Sequence, residues 1–180
     1  MKTKLPSALC VLIAAVLVAG GLLYGTWSGF REDRAQVEGL LTMENGLLDV
    51  LSYRAADGLN LSAVAKRHLP AADENLQELE TFARQLQQAS EVRAATSLDC
   101  AVSEAFNAVS AKLKDIPSFQ QSQRDQRYLD MLTADLNSLY ASEAVTAYNQ
   151  AAAAFNAQLD APVSGQLALL LGIEKCPLYE

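Results

Sequence analysis

From Leu5 to Trp27 no side chain carries a charge, and Leu9–Val18 is apolar at every position. As a helix, this run of about 23 residues spans roughly 35 Å, enough to cross the hydrocarbon core of a bilayer. Tyr24, Trp27 and Phe30 mark its end, where an aromatic belt belongs. Past Arg31 the pattern changes. Val37, Leu40, Leu41, Leu47, Leu48 and Leu51 recur at three- and four-residue steps, with Glu32, Asp33, Glu38, Glu44 and Asp49 largely off that stripe. This predicts a first helix continuing out of the span through Arg31–Ala56. Asp57-Gly58 predicts a turn, and Asn60 the N-cap of a second helix. That helix carries Leu61, Val64, His68, Leu69, Leu76, Leu79, Phe82 and Leu86, with a kink near Lys66–Leu69 or a restart at Pro70. Ala89–Thr96 is weakly patterned. Leu98, Val102, Phe106, Val109 and Leu113 predict a third helix over Ser97–Lys114, closed by Ile116-Pro117. The longest is expected over Ser118–Ala161, on Leu129, Leu132, Leu136, Leu139, Ala147 or Tyr148, Ala151, Phe155 and Leu159.

Four such stripes joined by short turns predict an all-α fold: an antiparallel up-down four-helix bundle with an N-terminal transmembrane helix and a short C-terminal helix or tail. The division is residues 1–30 as membrane anchor and residues 31–180 as bundle domain. A cleaved signal peptide is the rival for the first part, since Val18-Ala19-Gly20 offers small residues for a cut. The apolar run continues past them through Leu22-Leu23-Tyr24, which favours an uncleaved anchor contacting the bilayer through residues 5–27. Lys2 and Lys4 against Arg31 and Arg34 tip the orientation slightly towards a cytoplasmic N-terminus and an extracytoplasmic bundle.

Within the last long helix, Tyr148-Asn149 and Phe155-Asn156 repeat one aromatic–Asn pair seven residues apart, and so on one face. The aromatics read as core knobs with polar flanks. Alternatively the Asn amides tie down the following tail, since Asn is a poor helix former and needs a local reason. Pro162 ends the helix. Leu167–Ile173 is apolar all round and too short to span a membrane, so it needs a cover. Either the bundle end supplies one, framed by Tyr148, Asn149, Phe155 and Asn156, or lipid or a partner protein does.

The charge of −7 argues against nucleic acid, which needs a basic patch. His68 is the only histidine, which leaves a metal site or triad without a second imidazole, and it reads as a half-buried packing residue. No Glu-x-x-His, HExxH, GxSxG or Gly-rich phosphate loop occurs. Asp73-Glu74 and similar acidic pairs read as solvated helix faces. No catalysis, cofactor, metal or small-molecule substrate is expected. Cys10, Cys100 and Cys176 show no CxxC spacing. Cys100 and Cys176 can pair in an oxidising compartment only if the tail folds back on the third helix with their Cα atoms within about 7 Å.

The C-terminal pattern resembles the LemA family. AYNQAAAAFN, APVSGQLALLLGI and the final Leu178-Tyr179-Glu180 are similar to its YN…YN…FP helix end, small-apolar stretch and terminal aromatic motif. Tyr53-Arg54 with Asn60-Leu61 resembles its R-x-D-L-x-P-N-L turn, Ala83-Arg84 its AR dipeptide and Ile116-Pro117 its YP. The chain departs from the family at Ser138, at Val145 and near Ala71–Asp73. The resemblance implies a single-pass protein of the bacterial cytoplasmic membrane. It would act as an envelope scaffold or protein-interaction module with an unidentified membrane or envelope partner. The alternative is an extracytoplasmic four-helix sensory or ligand-binding domain. That reading expects a second membrane helix, and none follows the bundle up to Glu180.

Overall fold

The computed structural model describes residues 7–140 and 142–179. Lys2, Lys4, Leu5 and Glu180 therefore lie outside the described residues. Among those residues the chain is all helical, with no strand: α1 (Ser7–Thr42), α2 (Leu47–Ala65), α3 (Glu74–Gln87), α4 (Val92–Lys114), α5 (Pro117–Gln120), α6 (Gln123–Tyr140), α7 (Glu143–Leu159) and α8 (Ser164–Leu170). They pack as two units, each discontinuous in sequence: Met1–Glu38 with Ala151–Cys176, and Gly39–Gln150 with Pro177–Glu180.

In the second unit α2 packs on α3, α4 and α6, and α3 packs on α4, with α5 against α4 and α6. The shared core holds Leu47, Leu51, Leu61, Leu76, Leu79, Val102, Phe106, Val109 and Leu113, each at most 1% exposed. Each such side chain contributes about 1.5–3 kcal/mol by leaving water.

Five expectations about helix ends and turns are corrected here. The first helix does not run to Ala56. It stops at Thr42, because Asn45 takes a left-handed φ of 60° and donates its backbone N–H to the Asp49 carboxylate at 2.9 Å. Asp57-Gly58 is not a turn but lies inside α2. A Cβ on Gly58 would come within 3.3–3.4 Å of Leu79 Cδ1, Ala83 Cβ and Val102 Cγ1, so the glycine serves close approach of α3 and α4. Asn60, expected as an N-cap, is consequently an exposed residue within α2. Helix α2 ends before Pro70, and α3 restarts at Glu74, where the Asp73 carboxylate accepts from the Leu76 N–H at 3.3 Å. The expected fourth helix is divided. Pro117 opens α5, the Ser122 hydroxyl accepts from the Asp125 N–H at the start of α6, and Ser142 does the same for Val145 in α7. Helix α4 also begins earlier than expected, at Val92.

In the first unit residues 8–25 of α1 are exposed throughout. The helix holds an 18-residue window long and apolar enough to cross a membrane, none of it buried. Cover begins at Thr26. Tyr24 and Trp27 lie 6.2 Å apart between ring centroids, and the Arg31 guanidinium sits 5.0 Å over the Trp27 ring. Phe30 meets Phe155 edge-on at 6.3 Å. Ala152, Phe155 and Leu159 are buried on α7. A Cβ on Gly165 would meet the backbone of Leu159 and Gln158, so α8 closes directly on the end of α7. Lys175 then pairs with Asp160 at 2.7 Å.

Candidate functional site

The two aromatic–Asn pairs hold the C-terminal tail, one pair in each unit. In the first unit, the Asn156 amide donates to the Cys176 carbonyl and accepts from the Cys176 N–H, both at 2.8 Å. In the second, Asn149 donates to the Tyr179 carbonyl at 2.7 Å and accepts from its N–H at 2.9 Å, while the Tyr148 hydroxyl donates to the Pro177 carbonyl at 2.7 Å. A primary amide shows a donor and an acceptor side by side, matching the N–H and C=O of one extended residue. Each Asn thus pairs with one tail residue as a neighbouring strand would. The spacing follows from the two periodicities: seven helical residues rise about 10.5 Å and three extended residues about 10 Å.

A buried ion pair lies within the second unit. Arg54 is 2% and Asp99 1% exposed, and Arg54 Nε donates to Asp99 Oδ1 at 2.5 Å. The guanidinium also donates to the Ser103 hydroxyl at 2.9 Å and to the Leu136 carbonyl, near the negative end of the α6 dipole. The other Asp99 oxygen accepts from the Tyr179 hydroxyl. The network therefore ties α2, α4, α6 and the tail together. Among the described residues no buried side-chain polar atom lacks a partner, which a buried pair requires. The resemblance singled out Arg54 together with Asn60, and the structure puts the first at the centre and the second on the surface. Asp99 was missed, yet it was legible. Val92, Ala95, Asp99, Val102, Phe106, Val109 and Leu113 are the buried row of α4, and Leu98, taken for its start, is only half-buried.

Asp57 lies one turn along α2 from Arg54. Burial pushes its carboxyl up to about 6, with Asp135 adding to the effect and Arg54 opposing it.

The second polar cluster joins the end of α2 to α5 and α6. His68 Nε2 meets Asp125 Oδ2 and Nδ1 meets the Ser118 hydroxyl, both at 2.9 Å, and the ring stands edge-on to Phe119 at 5.4 Å. Asp125 also accepts from Arg67 at 2.6 Å and from Ser122 at 2.9 Å. The His68 hydrogen bond, then Ser122 and the Arg67 charge, hold the Asp125 carboxyl below its usual range against its burial. Carboxylate, imidazole and hydroxyl form a relay-like row, but Arg67 and Ser122 share the carboxylate. A hollow of about 390 Å³ beside Phe119 is lined by Lys114, Gln120, Gln126, Leu129 and Asp130, and by none of the three relay residues. These bonds fasten the end of α2 to α5 and α6.

The three cysteines are free in this structure, so Cys100 and Cys176, which could pair only in an oxidising compartment, are not joined. Asp99 faces the core, so Cys100, a further 100° around α4, is turned to solvent. Cys176 is 4% exposed and fixed by Asn156, and burial pushes its thiol up. Of the residues predicted to form the motif, Tyr148, Asn149, Phe155 and Asn156 all engage the tail or the adjacent core, while Pro162 is exposed between α7 and α8. Among the described residues no three His, Cys, Asp or Glu side chains gather as metal ligands. No protein-family model matches the chain, and a search of curated proteins finds no match to it.

Proposed function

We propose that this is a membrane-anchored, non-enzymatic helical-bundle protein, similar to the LemA family, that serves as an envelope scaffold or protein-interaction module. One observation carries the reading: residues 8–25 of α1 form a bare apolar helix, while the inward polar groups of the other helices are taken up in fastening. A bare helix of that length suits a lipid surround and is costly in water. The packing of α2, α3, α4 and α6 supports the bundle, and the Tyr148-Asn149 and Phe155-Asn156 clamps give the resembling motif a structural use. The interaction role draws support from α6. It shows solvent a row of Arg124, Arg127, Tyr128 and Met131, with Tyr128 40% and Met131 49% exposed and Arg124 lying 5.7 Å over the Tyr128 ring. Arg, Tyr and Met are enriched at protein interfaces.

On this reading the chain sits in the bacterial cytoplasmic membrane as a single-pass protein, with its bundle on the extracytoplasmic side. Proximity labelling from the tagged full chain tests the role. Membrane or envelope proteins should be labelled, and the set should shrink when Tyr128→Ala and Met131→Ser are introduced together. A labelled set identical to that of an unrelated single-pass anchor would reject the interaction role.

A further inference from the structure

We propose that Val163 and Leu170, flanking and ending α8, rest in the headgroup–acyl boundary of the bilayer as a second lipid contact beside the α1 span. The inference rests on the anchor reading of α1 and adds an interfacial foot to it.

The starting point is a run without charge. From Ala161 to Ile173 no side chain is ionisable, and the run is bounded by Asp160 and Glu174. Part of this segment is accounted for inside the unit. Gly165 closes against the end of α7, and Ala168 and Ile173 are buried, at 0% and 7% exposed. The rest is not. Val163 is 79% exposed and Leu170 84%, with Leu169 at 37%. Val163 and Leu170 are seven residues apart, close to two full turns, so they share one side of the segment. Their neighbours on that side are uncharged: Gln166 is exposed and Leu167 half-buried.

The place of this segment along α1 decides what covers it. Phe155 touches Phe30, about 4–5 Å beyond Trp27 along the helix axis. The Glu174 carbonyl accepts from Arg34 at 3.5 Å, about one more turn on. Two contacts to the stretch of α1 where the apolar half gives way to charge therefore flank the uncharged run, Phe155 six residues before it and Glu174 directly after it. Cover on α1 extends past Phe30 to Thr26 and Trp27, one turn further into the apolar half, and stops there. Tyr24 and Arg31 lie against Trp27, and the two contacts that flank the uncharged run meet α1 within two turns of that ring. Trp27 with Arg31 over its ring marks the level at which an aromatic and a basic side chain meet headgroups. Bare apolar side chains at that level, with no charge within the run, fit an interfacial lipid contact of limited depth.

The test uses the full chain with Cys10, Cys100 and Cys176 replaced, carrying Leu170→Cys labelled with an environment-sensitive fluorophore. It is reconstituted in phosphatidylcholine vesicles containing lipids spin-labelled near the headgroup or deep in the acyl chain. Leu17→Cys reports the span and Met131→Cys the aqueous bundle surface. The label at 170 should shift to the blue of that at 131, be quenched more by shallow than by deep spin label, and lose most of its iodide quenching. Val163→Cys should repeat the result. A label at 170 that behaves like that at 131 overturns the proposal. So does one shielded from both iodide and lipid, the sign of a protein partner or a second copy. In both cases deep quenching at 17 leaves the anchor reading standing. Loss of quenching at 17 removes the anchor and the foot together.

Discussion

Replacing Asn156 by Ala removes both hydrogen bonds that hold Cys176, the 2.8 Å donation to its carbonyl and the 2.8 Å acceptance from its N–H. Cys176 is 4% exposed, so the two backbone groups are left without a partner in a dry place. An unpaired buried polar group costs about 1–3 kcal/mol, and partial entry of water brings the pair to about 2–4 kcal/mol. For a chain of this size, that is a fall in Tm of about 5–15 °C. Asn156→Asp separates the clamp from mere bulk. The carboxylate still accepts from the Cys176 N–H, but it presents a lone pair to the Cys176 carbonyl where the amide presented a donor. At neutral pH it should therefore be at least as damaging as Ala. Protonation restores a donor, so the Asp variant should recover relative to wild type as pH falls through the carboxyl range. Thermal unfolding of the three proteins in one detergent, followed by circular dichroism at pH 4 and pH 7, makes the comparison. If both substitutions stay within about 0.5 kcal/mol of wild type, the range of an ordinary surface change, the tail does not depend on the clamp.

Other consequences follow from the two polar clusters and the free thiols. Arg54→Leu leaves Asp99 buried without its cation and should cost about 3–5 kcal/mol in denaturant unfolding, whereas Tyr179→Phe removes one bond to that carboxylate and should cost about 1.5–3 kcal/mol. The raised carboxyl of Asp57 binds its proton more tightly folded than unfolded. Stability should therefore drop as pH rises from about 4 to about 6, and Asp57→Asn should remove that drop, worth about 1 kcal/mol after screening at this half-exposed position. Asp125 works in the opposite sense: its depressed carboxyl contributes stability above pH 4 that is lost as pH falls through its folded value, and Asp125→Asn should flatten that acid limb of the stability curve. In alkylation followed by mass analysis at pH 8, Cys100 should react quickly and Cys176 slowly, with Asn156→Ala speeding Cys176 alone; equal rates in the native protein would contradict the buried tail.

The helical class was legible because the apolar stripes are long and regular. Leu129, Leu132, Leu136, Tyr148, Phe155 and Leu159 are buried as their spacing predicted. The misreadings come from glycine and asparagine, whose meaning depends on tertiary contacts. Asp57-Gly58 and Asn45-Gly46 look alike as dipeptides, yet only the second is a turn. Gly58 is small because Leu79, Ala83 and Val102 press on it, and no local pattern carries that information. The unbroken Ser118–Ala161 pattern concealed breaks at Gln121-Ser122 and before Glu143, since stripe periodicity persists across a short interruption. Of the polar clusters, Asp99 could have been found by extending the α4 row through Ala95. The partnership of His68 with Asp125 and Ser118, more than 45 residues away, had no local signal.

The central claim is that α1 holds the protein in a membrane without being cut. Membranes from cells producing the full chain, washed with alkaline carbonate and analysed by intact mass, test it directly. The account predicts that the protein stays in the pellet with residues 1–30 still attached, and that Leu12→Arg with Leu17→Arg releases it to the supernatant. Wild-type protein recovered in the soluble fraction, or carrying a new N-terminus near Gly21, would contradict it.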